Sequence, residues 1–248
     1  MIGFFDSGVG GLAVLREARA LLPAADFLYL ADQANAPYGR RTLTEVRRFS
    51  EQATMRLVDL GAETVVIACN TASAAALRHL RSRHPEIGFV GMEPAVKPAV
   101  AATKSGVVGV LATPTTFSAR VFGDLVGRFG EGIDVLAHPC PGWAQAVEDG
   151  WPDADEAITA HLAPLLAAGV DTLVIACTHY SFLADAIART VPGVTVIDPA
   201  EAVARQVARV ADANGSGTTT FVTTGDPERF AQQIERLLGI RVAVSAAG

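Results

Sequence analysis

Cys69 and Cys177 are the residues on which chemistry in this chain would turn, because each closes a copy of one strand. Gly61-Ala62-Glu63-Thr64-Val65-Val66-Ile67-Ala68-Cys69 and Gly169-Val170-Asp171-Thr172-Leu173-Val174-Ile175-Ala176-Cys177 share six identities at an offset of 108 residues. An apolar, β-branched run that ends in small and polar residues ahead of an Ala- or Leu-rich segment predicts a buried parallel strand feeding a helix. Open α/β sheets carry their sites at the carboxyl ends of such strands. If the two units face each other across a pseudo-twofold axis, the thiols arrive on opposite sides of one cleft. That geometry suits a near-symmetric reaction, in which a proton leaves one face of an α-carbon and another returns to the opposite face. One thiolate is the base and the opposing thiol the acid, and the reverse direction exchanges them. The place beside polar N-cap residues is expected to lower each thiol's pKa. A free thiol titrates near ~8.5, far below an amino-acid α-C–H, so the carbanion-like transition state needs further stabilisation. Ser7, Asn70, Thr71 and Thr178 are the neutral donors placed to hold a carboxylate as charge builds.

Other chemistries fit the residues less well. Cys177-x-His179 is not a usual short zinc spacing, and Cys69 has no Cys or His near it in sequence. Pyridoxal phosphate would need a Schiff-base lysine, and the chain has only Lys97 and Lys104, neither at a strand end or glycine turn. Gly8, Gly10 and Ala13 match a dinucleotide pattern, with Asp32 near the ribose-binding position. Asp6, two residues ahead of the first glycine, would however set a carboxylate where a pyrophosphate wants backbone N–H groups. A Cys hydrolase would leave one thiol unexplained, and a two-domain amino-acid binder would need neither. Cys140, between two prolines, reads as packing.

The elements that must position these residues follow from hydrophobic period. Ile2 to Phe5 is a short strand entering Asp6-Ser7-Gly8-Val9-Gly10-Gly11, after which Leu12, Leu15, Ala18, Leu21 and Leu22 keep helical spacing. Phe27 to Ala31 is the second strand, and its loop carries turn formers around Pro37-Tyr38-Gly39. Thr42-x-x-Glu45 is a capping box that starts a helix stopped by Gly61. Gly88 to Met92 ends in Glu93-Pro94-Ala95, echoed by Val194 to Ile197 ending in Asp198-Pro199-Ala200. Between them, Val107 to Leu111 runs into Thr113, and Val135 to Ala137 runs into His138. A helix from about 200 to 212, a flexible link, a strand over 219–223 and a helix over 227–238 form a tail without a repeat partner. It is expected to pack on the first domain. The expected fold is therefore α/β, two pseudo-symmetric doubly wound parallel-sheet domains with the active site between them. Residues 1–93 plus 205–248 make the first, with Cys69, and 94–204 the second, with Cys177.

At 248 residues, half of them hydrophobic, the chain supports two such cores. A net charge of −6 argues against a nucleic-acid backbone as partner. Arg40, Arg41, Arg47 and Arg48 cluster, but Glu45 and Glu51 interrupt them, as on a solvated helix face. No basic segment precedes an apolar core at the start, and no apolar run has the length of a membrane span. Three cysteines then point to a reducing cytoplasm.

Taken in order, Phe5-Asp6-Ser7-Gly8-Val9-Gly10-Gly11-Leu12, Pro37-Tyr38-Gly39, Ala68-Cys69-Asn70-Thr71-Ala72-Ser73-Ala74, Cys177-Thr178-His179-Tyr180 and Thr224-Gly225-Asp226 resemble the glutamate racemases of the aspartate/glutamate racemase superfamily. The resemblance spans essentially the whole chain. It implies cofactor-independent interconversion of L- and D-glutamate, supplying D-glutamate for peptidoglycan, with related racemases such as those of aspartate as the alternative. It further implies that Cys69 and Cys177 are the acid/base pair, that Asp6 assists the first, and that His179 and Glu148 assist the second. Asp6, Ser7, Pro37, Tyr38, Gly39, Asn70, Thr71, Thr113, Thr116, Thr178 and His179 would bind substrate. No metal or cofactor is expected, and a homodimer is compatible with the chain. Ala176, Ser181 and Thr115 depart from the family's usual Gly, Pro and Gly.

Overall fold

The computed structural model describes the chain except for residues 119, 152–153, 212–213 and 248. The first unit runs β1 (Ile2–Asp6), α1 (Leu12–Leu21), β2 (Phe27–Ala31), α2 (Leu43–Asp59), β3 (Thr64–Ile67), α3 (Asn70–Arg83) and β4 (Gly88–Gly91). The second runs α4 (Val96–Ala102), β5 (Val107–Ala112), α5 (Pro114–Ser118), α6 (Arg120–Phe129), β6 (Asp134–Pro139), α7 (Trp143–Asp149), α8 (Ala154–Ala167), β7 (Thr172–Ile175), α9 (Ala184–Thr190) and β8 (Thr195–Ile197). The tail adds α10 (Ala200–Val210), β9 (Thr219–Thr223), α11 (Pro227–Leu238) and β10 (Val244–Ala246).

Both sheets are parallel throughout, and the repeat extends to their topology. The first has the order β10-β9-β2-β1-β3-β4 and the second β6-β5-β7-β8. Remove the tail strands and the two orders correspond strand for strand. Side chains alternate as the pleat requires: Phe4 and Val66 enter one core, Phe5, Val65 and Ile67 the other. Helices α2 and α3 cover one face of the first sheet, while α1 packs with α10 and α11 on the other. The apolar cluster under α1 continues into the second unit through Trp143, Leu162, Leu173 and Tyr180, so one core supports both.

Local signals from the sequence account for several boundaries. The capping box is present: Glu45 N–H donates to Thr42 Oγ1 at 3.2 Å and Thr42 N–H to Glu45 Oε2 at 2.9 Å. Asp226 caps α11 by accepting from the Glu228 and Arg229 amides, ahead of Pro227. The tail does join the first sheet, through β9 beside β2, with β10 as a further edge strand that its three residues did not announce. The helix expected to reach 212 ends at Val210, and 212 lies outside the described residues. That helix packs along α1 of the first unit, so the expected change of unit at 204/205 falls inside a continuous helix.

Candidate active site

Parallel sheets open a crevice where successive connections leave on opposite faces. In the first sheet that point lies between β1 and β3, and in the second between β5 and β7. Asp6 ends β1 and Cys69 follows β3 as the N-cap residue of α3. Thr113 follows β5, and Cys177 follows β7 at the head of a short 3-10 segment over Thr178–Leu183. The two crevices face one another around a cavity of about 130 Å³. Ser7, Pro37, Tyr38, Gly39, Cys69, Asn70, Thr71, Thr113, Glu148, Cys177, Thr178 and His179 all line it. Asp6 and Thr116 are buried just behind.

Two glycines let the units approach this closely. A Cβ on Gly8 would stand 1.9 Å from Glu148 Oε1, and one on Gly10 2.5 Å from Thr178 Oγ1. The glycine turn after β1 is thus shaped for the opposing domain, which explains its likeness to a dinucleotide loop. Asp32 is equally structural: it accepts from Tyr38 Oη at 2.5 Å, Asn35 Nδ2 at 3.1 Å and Thr224 Oγ1 at 2.8 Å. Those bonds anchor the Pro37-Tyr38-Gly39 loop at the cavity wall.

The surroundings of the two thiols differ. Burial, then the Asp6 carboxylate, hold the Cys69 thiol well above its ordinary pKa, against the amides of Ala72 and Ser7. The expected lowering at the strand end is therefore reversed for Cys69, because desolvation outweighs the amides. Cys177 Sγ lies 3.9 Å from His179 Nδ1, and His179 Nε2 donates to Glu148 Oε1 at 2.8 Å. Burial pushes the imidazole pKa down, but its bonds to Cys177 and Glu148 prevail and hold it well above the usual value. Burial likewise raises Glu148, and the His179, Val9 and Gln233 donors overcome it, leaving that carboxyl below its ordinary value. His179 thus favours its protonated form beside Cys177, and Cys69 its thiol form.

The neutral donors also divide. Ser7 Oγ donates to Asp6 Oδ1 at 3.0 Å and Thr178 Oγ1 to Asp6 Oδ2 at 2.9 Å. Each hydroxyl has one proton, so both retain acceptor capacity, which suits an ammonium. In this arrangement their protons are engaged by Asp6 and not by a carboxylate of a ligand. Thr71, Thr113 and Thr116 form a triangle of hydroxyls across the units, with oxygens 3.0 to 3.3 Å apart. Asn70 is different again. It is 3% exposed, and neither its amide nitrogen nor its oxygen has a partner. Buried amides are nearly always bonded, and this one lies at the cavity wall.

Other residues of the site came without a sequence signal or with one unused. Cys140 is buried as expected, yet its residue also lines the cavity, and burial followed by Cys177 pushes its thiol up. Gln233 bonds Glu148 from α11. Its polar place between Phe230 and Ile234 on the buried stripe was the available hint. Thr115 Oγ1 donates to the Gly39 carbonyl at 2.8 Å, and Ser181 Oγ to Asp198 Oδ1 at 3.0 Å. Thr115 therefore braces the loop at the cleft, while Ser181 ties the 3-10 segment after Cys177 to the end of β8. Lys97 sits 5.8 Å over the Phe129 ring, and neither lysine lines the cavity.

Over residues 12–207 the chain matches the Asp/Glu/hydantoin racemase family. A glutamate racemase of Roseiflexus sp. (strain RS-1) is 48% identical over 249 residues, covering 95% of this chain and 91% of that protein. The crystal structure of a glutamate racemase isoform from Bacillus anthracis is similar with a TM-score of 0.89 at 31% identity, covering 99% of this chain and 96% of that one. The Escherichia coli glutamate racemase, crystallised with L-glutamate and the activator UDP-MurNAc-ala, is similar with a TM-score of 0.88 at 27% identity, covering 99% and 97%.

Proposed function

The chain belongs to the Asp/Glu/hydantoin racemase family, and from that premise we propose how its cleft interconverts L- and D-glutamate. The observation that carries the reading is the pair of thiols at equivalent strand ends of two equivalent sheets, lining one cavity. As an isomerase of this kind, the chain needs no net redox change. Cys177, beside the His179 imidazolium, takes the α-proton from one enantiomer, while the Cys69 thiol delivers its proton to the opposite face. Cys177 ends as the thiol and Cys69 as the thiolate, and the other enantiomer reverses the exchange. Asp6 assists by favouring the protonated form of Cys69, and Glu148 by keeping His179 charged.

Substrate binding is divided by the same logic. Ser7, Thr178 and the Asp6 carboxylate behind them receive the ammonium; Asn70 at the head of α3 receives one carboxylate. Thr71, Thr113 and Thr116 can turn their protons toward the other, with Pro37, Tyr38 and Gly39 closing that wall. Asn70→Ala should raise KM about thirtyfold, the worth of a hydrogen bond to a charged group. Its Tm should hold or rise, since an unpartnered buried amide is removed. A KM within twofold of wild type would show that the amide does not meet substrate.

The direct test is proton exchange. Dialysed protein with D- or L-glutamate in D2O should incorporate deuterium at the α-carbon as the optical rotation decays. Lys97→Ala and Lys104→Ala should keep most turnover, and no pyridoxal absorbance should accompany activity. A requirement for added pyridoxal phosphate would overturn the cofactor-independent mechanism.

Residues 1–93 with 205–248, and residues 94–204, are the two units that flank this cleft in our reading. No helix among the described residues is long and apolar enough to cross a membrane. Three free thiols support the cytoplasm as compartment, and the product would serve peptidoglycan assembly. A homodimer is the assembly to test, by sedimentation.

A further inference from the structure

Glu148 is gripped by a helix that neither repeat contains. Gln233 on α11 is 2% exposed, and its Nε2 donates to Glu148 Oε2 at 2.8 Å and to the Glu148 carbonyl at 3.0 Å. Its Oε1 accepts from Gln33 Nε2 at 2.7 Å, and Thr223 Oγ1 lies 3.0 Å from both Gln33 Oε1 and the Ala31 carbonyl, with one proton for the two. An amide has one accepting end and one donating end. Because Gln33 supplies a donor, Gln233 can show Glu148 only its N–H. Glu148 Oε1 is occupied by the Val9 amide at 2.9 Å and by His179 Nε2, which leaves His179 Nδ1 facing Cys177. The chain from Gln33 through Gln233 and Glu148 to His179 is therefore directional, and each side chain in it has a partner.

We infer that Gln233 is a positioning residue for racemisation, acting through Glu148 and His179 on Cys177. The inference rests on the proposed acid/base role of Cys177. Simple anchoring of α7 does not account for Gln233, because other groups already do that. Arg236 donates to the Val147 and Glu148 carbonyls at 3.0 and 2.8 Å, and Arg229 pairs with Asp149 at 2.9 Å. What Gln233 adds is a donor to the carboxylate itself. The other titratable groups around Glu148 and His179 are Asp6 and Tyr29 from the first unit and Cys177 from the second. Tyr29 is kept un-ionised, by burial first and then by Asp6 and Glu148.

The test compares kcat/KM for D-glutamate against pH in wild type, Q233L and Q233E, each below its Tm, with E148Q and C177A alongside. A protonated carboxyl at 233 can donate to Glu148 Oε2 as the amide does. Once ionised it is a second anion there, and paired carboxylates keep a proton above the ordinary range. Q233L should lose about tenfold in kcat/KM at all pH values, as expected for a lost hydrogen bond to a charged group. Q233E should approach wild type at the acid end and fall to the Q233L level as pH rises. A Q233L enzyme with wild-type kcat/KM, or a Q233E to wild-type ratio that is flat with pH, would overturn the inference. So would an E148Q enzyme of full activity. Racemisation surviving in C177A would instead remove the two-thiol reading beneath it.

Discussion

Cys69→Ala and Cys177→Ala should each lose racemisation by at least about four orders of magnitude, the upper range for a positioned acid or base. Each variant removes one member of an obligatory pair: without the base no carbanion forms, and without the acid none is quenched on the opposite face. The double variant should therefore be hardly slower than either single one, because residues that act as a unit are not additive. Folding should survive. Both thiols are buried beside a cavity that already admits solvent, so deleting one sulfur creates little new void, and the cost should stay near ~1 kcal/mol. Racemisation rates with melting curves for the three variants decide the matter. Activity near wild type in either single variant, in well-folded protein, would end the two-thiol mechanism.

The thiols were legible in sequence because a repeat is visible without any knowledge of packing. Six identities in nine residues located equivalent strand ends, and the two sheets carry the same strand order around them. What sequence could not supply was solvation. A strand-end cysteine beside an N-cap suggests an acidified thiol, but Cys69 is buried against Asp6 and is held protonated. Asp6 likewise reads as a lone acid until folding brings Thr178 to it across 172 residues. Gln233 and Gln33 were invisible for the same reason, since the tail reaches Glu148 only after α11 docks. The short edge strand β10 escaped because three residues carry no period.

Glutamate should exceed aspartate in kcat/KM by at least on the order of a hundredfold, because misplacing the reacting carbon by about 1 Å costs that much. The cavity holds two separate groups suited to carboxylates. Asn70 sits at the head of α3 beside Cys69, and the hydroxyls of Thr71, Thr113 and Thr116 bridge the two units. Those groups are fixed: the threonines by one another, and the loop over them by Tyr38 to Asp32 and by Thr115 to Gly39. Glutamate can engage both with its α-carbon between the thiols. Aspartate is one methylene shorter, so satisfying both sites draws its α-carbon off the line from Cys69 to Cys177. The rigid walls do not follow it inward. Proton transfer is steeply sensitive to that displacement while carboxylate binding is not, so the deficit should fall on kcat more than on KM. Steady-state rates for both acids and both enantiomers measure this directly. Comparable kcat/KM for the two would mean that the second carboxylate does not set the position of the α-carbon, and the assignment of Thr71, Thr113 and Thr116 to substrate would fall with it.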